Sequence, residues 1–353
     1  MCPHKMDHDK SKINIAGFIE LAERIPVIDV RSPSEFIAGH IPGAHNIPLF
    51  NDEERAAVGT AYKREGRIKA ILNGLKLMGP SIHSKLEQAL KISVNGNGRL
   101  LLYCWRGGMR SEAMAWLFNL GDIETDILEG GYKSYRNHIL EDLSLNRKMI
   151  VLGGLTGSGK THILRYLKDA GEQVIDLERL ARHKGSAFGS LGQEAQPSSE
   201  HFANILYEDL RHSDKDLPVW IEDESRNIGN VFMPEEFYLN MQKNPSIILL
   251  MDIKTRLPRL LEEYSGFSAE ELTESVKKIS RRLGGGRTKE SIDAILRNDF
   301  STAIEIALQY YDKTYLYGLK RKDGENIFYV ETDTDDIKVN ALKIIKAARS
   351  INW

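Results

Sequence analysis

Cys104 is the residue on which a chemical role would most depend. It lies in the stretch 101–111, LLYCWRGGMRS, where an apolar run ends and two arginines and two glycines follow. A free cysteine is often an inert core residue, but two arginines beside a merely buried thiol would be costly to desolvate. The glycines would let loop amides face the sulfur, and Arg106, Arg110 and the start of a helix near Ser111 would add positive charge. We therefore predict a catalytic thiolate, able to carry a persulfide or selenide.

A phosphate-binding motif stands in the second half of the chain. The segment 154–161, GLTGSGKT, has the pattern G-x-x-x-x-G-K-T, and it lies between a predicted strand, Met149–Leu152, and a predicted helix, Thr161–Ala170. This is the context in which such a loop cradles phosphates with its backbone amides, helped by the helix N-terminus. The motif indicates a phosphate or pyrophosphate ligand, without indicating a nucleotide or hydrolysis. The predicted contacts are Gly154, Thr156, Gly157, Ser158, Gly159, Lys160 and Thr161.

The same motif predicts a site for a divalent metal. The hydroxyl of Thr161 occupies the position that ligates Mg²⁺ in loops of this kind. A partner is expected at the end of a second strand, in the acidic stretch 222–224. We take Asp223 as the residue that would hold the metal.

A basic run is the third candidate for function. The formal net charge is −2, yet residues 277–289, KKISRRLGGGRTK, carry six Lys or Arg and no acid. Such a run is either a solvated helix face or a phosphate-binding patch. The sequence leaves both interpretations open.

The bulk properties are those of a soluble protein with two domains. The chain has 353 residues, 41% of them hydrophobic and 28% charged. Its longest apolar runs, such as Ile247–Met251, are of strand length, and its N-terminus lacks the apolar core of a secretory signal. Two cysteines without a CxxC pair argue against a disulfide framework or structural zinc. Cys2, His4 and His8 are expected on a frayed end without a defined metal site. We expect a cytoplasmic protein without membrane contact.

Apolar strands alternate with helices in two series, which predicts two α/β domains with parallel sheets. The first domain should span residues 1–140 and the second 149–353, joined by a polar linker at 141–148. Residues 51–80 have helical character but are interrupted by glycines. Their structure is therefore left open.

The first domain resembles the rhodanese family. The resemblance rests on the stretch 27–48, VIDVRSPSEFIAGHIPGAHNIP, and on the cysteine loop at the end of a later strand. In that family the cysteine carries sulfur as a persulfide. The spacing from Cys104 to Arg110 is C-x5-R, one residue longer than in common single-domain rhodaneses and equal to that of protein tyrosine and Cdc25-type phosphatases. A longer loop suits a phosphate or an atom larger than sulfur. Tyr103 stands where tyrosine phosphatases carry histidine, which weakens that alternative.

The order of the two motifs is more specific than either motif alone. A rhodanese domain with YCWRGGMRS, followed by a P-loop domain with GGLTGSGKT, resembles the tRNA 2-selenouridine synthase family over nearly the whole chain. The segment 176–189, DLERLARHKGSAFG, is also similar to that family.

The resemblance implies a tRNA-modifying selenotransferase. Members of the family replace sulfur by selenium at C2 of wobble 2-thiouridine, by S-geranylation with geranyl diphosphate and then displacement with selenium from selenophosphate. Cys104 would accept selenium or attack selenophosphate, while Arg106 and Arg110 would hold its phosphate. The P-loop would hold the prenyl diphosphate through Lys160 and Thr161. No tightly bound cofactor is expected, with Mg²⁺ as the one candidate metal.

The expected macromolecular partner is the tRNA anticodon loop. Basic side chains would contact its phosphates or bases, and a selenophosphate-supplying enzyme is a second expected partner. We assign His183 binding only, because a single histidine is more often structural than catalytic. The predicted RNA-binding residues are Arg182, His183, Lys184, Arg281, Arg282 and Arg287.

One alternative activity remains from the sequence, an ATP-dependent tRNA sulfurtransferase with a Cys104 persulfide and a nucleotide in the P-loop. Thermal protection by ATP or by geranyl diphosphate would separate the two. A non-catalytic scaffold is disfavoured because the cysteine is present.

Overall fold

The protein divides into two compact units between Asp142 and Leu143. The structure, a computed structural model, describes residues 11–320 and 326–351. Cys2, His4 and His8 lie outside the described residues. We refer to the two parts as the N-terminal and C-terminal units, and each is described by itself.

The N-terminal unit is built on a parallel sheet of five strands in the order β1-β5-β4-β2-β3. Because β4 is central, its residues Leu100–Tyr103 are completely buried, and the residue that follows it emerges at the carboxyl edge, where parallel α/β sheets bind ligands. The strands are β1 Ser11–Ile13, β2 Val27–Asp29, β3 His45–Asn46, β4 Arg99–Tyr103 and β5 Glu124–Leu128.

Helices cover this sheet and enclose a core that includes Ile28, Leu102, Met114 and Ile127. The helices of this part of the chain are α1 Ile15–Ala22, α2 Pro33–Ala38, α3 Asp52–Glu65, α4 Arg67–Met78, α5 Ile82–Ser93, α6 Met109–Asn119 and α7 Gly131–Leu143.

The ambiguous residues 51–80 form α3 and α4. Asn51 begins α3 because its side chain accepts from Glu54 N while Glu54 bonds back to Asn51 N, a reciprocal cap. Gly66, at φ 89°, ends α3 and allows α4 to start in the next residue. The glycine therefore separates two helices rather than preventing helix formation.

The C-terminal unit contains a second parallel sheet of five strands, in the order β12-β11-β6-β8-β7. A short antiparallel pair, β9 and β10, follows β8 along the chain. The strands are β6 Met149–Gly154, β7 Gln173–Ile175, β8 Val219–Glu222, β9 Asn227–Ile228, β10 Val231–Phe232, β11 Ser246–Met251 and β12 Ile327–Thr332. The prediction of two parallel-sheet α/β domains is confirmed.

Two hydrophobic clusters organise the C-terminal helices. One packs α8 and α17 on the sheet, with Leu152, Ile163 and Ile344 in its centre, and the other lies among α13–α16, around Val276 and Ile295. The helices are α8 Lys160–Asp169, α9 Leu177–Ala181, α10 Ser199–Arg211, α11 Glu235–Lys243, α12 Ile253–Tyr264, α13 Ala269–Lys278, α14 Ser280–Leu283, α15 Gly285–Leu296, α16 Phe300–Leu319 and α17 Ile337–Ala348.

The predicted linker 141–148 begins inside a helix. Helix α7 continues through Leu143, so residues 141–143 are helical rather than extended. The reason is periodic burial: Tyr135, Ile139 and Leu143 recur every four residues and are at most 1% exposed. The polar side chains of 141–142 face away from this stripe, which is why the composition alone suggested a linker.

Candidate active sites

The Cys104 loop connects the central strand β4 to helix α6 at the carboxyl edge of its sheet. Cys104 is 4% exposed, and the loop of residues 104–108 brings the start of α6 back toward the sulfur.

The sulfur is surrounded by hydrogen-bond donors. Ser111 Oγ lies 3.4 Å from Cys104 Sγ and 2.9 Å from Gly108 O, so its hydroxyl donates to one or the other. The backbone amides of Arg106 and Ser111 also point at the sulfur. Burial alone raises the pKa of the Cys104 thiol, but the Ser111 hydroxyl, the two amides and the charge of Arg110 outweigh it, and the pKa is lowered. These contacts favour the thiolate.

The two arginines of the loop have different surroundings. The Arg106 side chain is exposed, and its amide rather than its guanidinium meets the sulfur. Arg110 makes a two-pronged ion pair with Glu35, with distances of 2.6 and 3.3 Å. Glu35 also caps α2 through Ser32 N. A bound phosphate would therefore share Arg110 with the Glu35 carboxylate.

A neighbouring loop holds the cysteine backbone in place. Tyr132 N donates to Cys104 O at 2.8 Å, and Lys133 N donates to Trp105 O at 3.1 Å. These amides belong to the first turn of α7, which starts at Gly131. Gly131 has φ 62°, and a Cβ there would lie 2.3 Å from Cys104 O, so only glycine fits. Sequence reasoning missed this support, although the glycine pair 130–131 after a strand was a signal for it.

The rhodanese-like motif at 27–48 supplies a buried scaffold beside the loop. Arg31 is 1% exposed, forms an ion pair with Asp29 at 2.7 Å and donates to Gly39 O at 2.6 Å. Its guanidinium carbon lies 3.8 Å from the ring centroid of Tyr132. The motif thus stabilises the start of α7, which in turn holds the Cys104 carbonyl.

The P-loop has the backbone of an anion cradle. Gly157 and Gly159 have positive φ angles, 81° and 83°, and α8 begins at Lys160. Lys160 Nζ donates to Gly154 O at 3.0 Å. Ser158 is completely buried, and within the described residues its Oγ has no hydrogen-bond partner. An unsatisfied buried hydroxyl in this loop fits an anionic ligand that would accept from it.

Two arginines of α12 brace the P-loop, and sequence reasoning did not identify them. Arg256, 1% exposed, donates to Thr156 O at 2.8 Å and pairs with Asp312 of α16. Arg259 donates to Gly157 O at 3.1 Å. Both bonds satisfy carbonyls of the loop and hold its backbone in place.

A carboxylate cluster lies beside Thr161. Thr161 Oγ1 donates to Glu178 Oε2 at 3.3 Å and lies 3.5 Å from Glu222 Oε1. Burial raises the pKa of Glu222 well above its usual range, and the nearby Glu178 raises it further. Burial, together with Glu178, raises the pKa of Glu224 to about 8. The cluster therefore holds protons at neutral pH unless a cation compensates its charge.

Asp223, predicted to hold the metal, is engaged elsewhere. Its Oδ2 accepts from the Tyr315 hydroxyl at 2.9 Å. The structure places Glu222 at the Thr161 hydroxyl instead, because β8 pairs directly with the P-loop strand β6 and ends at Glu222.

The residues present fit Mg²⁺ only in combination with a ligand phosphate. Among the described residues, no three His, Cys, Asp or Glu side chains are grouped to hold a metal by themselves. Mg²⁺ commonly binds one or two protein oxygens plus substrate phosphates. Thr161 and Glu222 provide that pair.

A narrow apolar cavity opens beside the P-loop. Thr156 of the P-loop lies at its wall, and the remaining lining is almost entirely hydrophobic. It comes from α12, α13, α15 and α16, together with Ser186 and Phe188 of the segment between α9 and α10. The lining comprises Thr156, Ser186, Phe188, Leu260, Tyr264, Leu272, Val276, Ile295, Phe300, Ala303, Ile304, Ala307, Leu308 and Tyr311.

A wide polar groove, here called the basic groove, adjoins the cavity. Three predicted RNA-binding residues, His183, Arg281 and Arg282, line it together with Arg226 and Lys278. Ser186 and Tyr311 line both the groove and the cavity, so the two spaces share a wall. His183 is 8% exposed, and burial followed by the charge of Lys278 lowers its pKa, so its ring is neutral near pH 7.

The other three predicted RNA-binding residues lie outside the lining of this groove. Arg182 pairs with Glu194 at 3.1 Å, and Lys184 pairs with Glu263. Arg287 is exposed in the first turn of α15. The structure thus gathers part of the basic run into one surface and leaves the remainder solvated.

The chain thus joins a parallel-sheet domain that has a cysteine loop at a strand end to a second parallel-sheet domain that has a P-loop. Comparison with known families agrees: residues 17–138 match the rhodanese-like domain, and residues 147–341 match the tRNA 2-selenouridine synthase AAA domain. The chain therefore belongs to the tRNA 2-selenouridine synthase family, as its sequence predicted.

Full-length relatives support this assignment. A tRNA 2-selenouridine synthase of Bdellovibrio bacteriovorus is 36% identical, over 87% of this chain and 92% of its own. That of Nitrosomonas europaea is 34% identical, over 84% and 90%. That of Bordetella petrii is 37% identical, over 86% and 89%.

Within residues 11–320 and 326–351, no helix combines the length and the hydropathy that crossing a bilayer requires.

Proposed function

We propose that this protein replaces sulfur by selenium at C2 of 2-thiouridine in a tRNA anticodon loop. It would do so by S-geranylation from geranyl diphosphate and then by displacement with selenium from selenophosphate. The observation that carries the first step is the continuity of three sites in the C-terminal unit. Thr156 links the P-loop to the apolar cavity, and Ser186 and Tyr311 link the cavity to the basic groove.

In the first step, the thiouridine sulfur would attack C1 of the prenyl donor. An S–C bond forms, the C1–O bond to the diphosphate breaks, and the N3 proton of the base leaves to solvent. Lys160 and the loop amides would stabilise the charge that develops on the departing diphosphate. Mg²⁺, held by Thr161 and Glu222, would supply further positive charge there.

The apolar cavity favours a prenyl donor over a nucleotide. Its lining offers hydrophobic surface beside Thr156 and few polar groups that could pair with the edge of a purine. Burying a purine edge without hydrogen bonds would be unfavourable, whereas a hydrocarbon chain gains from the same surroundings.

In the second step, the Cys104 thiolate would attack the phosphorus of selenophosphate. An S–P bond forms, the P–Se bond breaks, and hydrogen selenide leaves. Selenide then adds at C2 of the S-geranylated base and expels geranylthiolate. Water hydrolyses the S-phosphocysteine and restores the thiol.

This route is redox-neutral, whereas a selenylcysteine formed from selenophosphate would need a two-electron oxidant. The amides of Arg106 and Ser111, with the charge of Arg110, suit the phosphate as well as the thiolate. The loop therefore supports attack on phosphorus better than storage of oxidised selenium.

The test is mass spectrometry of nucleosides from thiolated tRNA incubated with the protein. Geranyl diphosphate alone should give S-geranylated thiouridine, and both donors together should give selenouridine. ATP in place of geranyl diphosphate is the control for a first step that depends on a nucleotide in the P-loop. Selenouridine formed with ATP but not with geranyl diphosphate would contradict the proposal.

A further inference from the structure

Helix α16 lines the apolar cavity, and its C-terminal half is held beside the P-loop. Near its C-terminal end it is tied to the P-loop, because Arg256 bonds both Asp312 and Thr156 O. Gly154 N donates to the Tyr315 hydroxyl at 2.9 Å, which is a second tie. The N-terminal half of α16 therefore runs away from the phosphate site, along the cavity.

The cavity residues of α16 are spaced along this direction. At ~1.5 Å of rise per residue, Ala307 lies about 7 Å from Asp312 along the helix axis, Ala303 about 13 Å and Phe300 about 18 Å. All three line the cavity. Ala303 and Ala307 are spaced i, i+4 on one helix face, and each is 7% exposed.

Bulkier side chains of other helices also line the cavity. Leu272 and Val276 of α13 and Ile295 of α15 are at most 3% exposed and belong to the same hydrophobic cluster as Ala303. The two alanines contribute only single methyl groups to the lining. A larger side chain at either position would therefore narrow the cavity at that point along α16.

We propose that the cavity selects the donor by prenyl chain length, with Ala307, Ala303 and Phe300 as the specificity-determining residues at increasing depth. This inference rests on the proposed function and extends it from the presence of a prenyl donor to the choice among donors. Ala307 leaves room beyond the first isoprene unit, Ala303 leaves room for the end of the second, and Phe300 closes the far end against a third.

The experiment gives the full-length protein a panel of dimethylallyl, geranyl and farnesyl diphosphates with thiolated anticodon stem-loop RNA. Alkylated thiouridine is quantified by mass spectrometry. Ala307→Phe should lower the ratio of geranyl to dimethylallyl transfer at least about 10-fold, since one methylene group gained or lost in a hydrophobic pocket is worth about 10–200-fold. Ala303→Phe should lower it less. Phe300→Ala should raise farnesyl relative to geranyl transfer.

The controls separate changes in fold from changes in specificity. Leu296→Phe places a ring on an exposed position at the end of α15 and should leave the donor profile unchanged. Ala307→Val tests the same depth with little added volume, in case the phenylalanine variant does not fold. Thermal stabilisation by inorganic pyrophosphate should be equal in all variants.

The outcomes bear on different claims. If the unsubstituted protein alkylates RNA with none of the three donors, the proposed function fails. If it uses geranyl diphosphate but Ala307 and Phe300 variants scale all donors by the same factor, the length-selecting cavity is refuted while the proposed function stands.

Discussion

The Cys104 loop and the P-loop are two versions of one local structure. Each follows a strand of a five-stranded parallel sheet, β4 or β6, and each leads directly into a helix, α6 or α8. Each contains at least one glycine with positive φ, Gly107 in the first and Gly157 and Gly159 in the second, which allows backbone amides to converge. They differ in where the reactive group stands: Cys104 opens its loop, whereas Lys160 closes the other.

That difference suits the Cys104 loop to covalent chemistry and the P-loop to electrostatic stabilisation. The Cys104 sulfur at the end of the strand is buried with donors pointed at it, which suits the nucleophile that the proposed function requires. A lysine at the start of the helix contributes a point charge to a phosphate and forms no bond. The supports differ as well, since backbone amides of α7 hold the first loop and arginine side chains of α12 hold the second.

The largest expected effect comes from Cys104→Ser. Loss of the thiolate should lower selenation by about 10³-fold or more, because a nucleophile has no substitute in its loop. Geranylation of thiolated tRNA should be unchanged, since it depends on the P-loop. Nucleoside mass spectrometry with each donor measures both. Full selenation by the serine variant would show that the Cys104 loop is not the covalent site.

Lys160→Ala is the complementary change. It should lower geranylation by about 10²–10³-fold, the usual cost of removing one charge-stabilising group. Selenation of RNA that is already S-geranylated should remain. Lys168→Ala, an exposed residue in the last turn of the same helix, is the matched control. Loss of both activities in Lys160→Ala would contradict the division of labour.

A smaller effect is expected from Arg281→Ala combined with Arg282→Ala. If these residues contact RNA phosphates, the slope of log affinity against log salt should decrease by about 2. Arg287→Ala with Lys289→Ala removes two charges of the same basic run outside the groove lining, so its slope should stay close to that of the unsubstituted protein. Equal slopes in both double variants would mean that the groove is not the RNA surface.

Ser111→Ala should have the smallest effect, and it should depend on pH. The hydroxyl lowers the pKa of Cys104, so its removal raises that pKa and reduces the thiolate fraction below it. Selenation should then fall about 3–10-fold at pH values below that pKa, the size expected for the loss of one ordinary hydrogen bond. The rates should converge at alkaline pH. A deficit independent of pH would assign Ser111 a purely structural role.

The sequence predicted what local patterns determine. The alternation of apolar strands with helices predicted the two parallel sheets, and the order of the two motifs indicated the family. Contacts between distant segments were not accessible in the same way. The support of Cys104 by Tyr132 N and of Thr156 by Arg256 joins residues far apart in the chain, and neither pair follows a short motif.

The metal position illustrates the same limit. Asp223 and Glu222 are adjacent, and the sequence does not say which one lies in the last paired position of β8. The structure pairs Glu222 with Leu152 of the P-loop strand, and this register directs the Glu222 carboxylate to Thr161. A difference of one residue in a strand reverses the face of the side chain.

Helix α7 determines where the N-terminal unit can be cut for separate study. Its first turn carries the amides that seat Cys104, yet the rhodanese-like match ends at residue 138, within the helix. A fragment stopped there would lack Ile139, which is fully buried, and would fray the helix from its cut end. A fragment carried through Leu143 keeps the whole of α7 and its buried stripe.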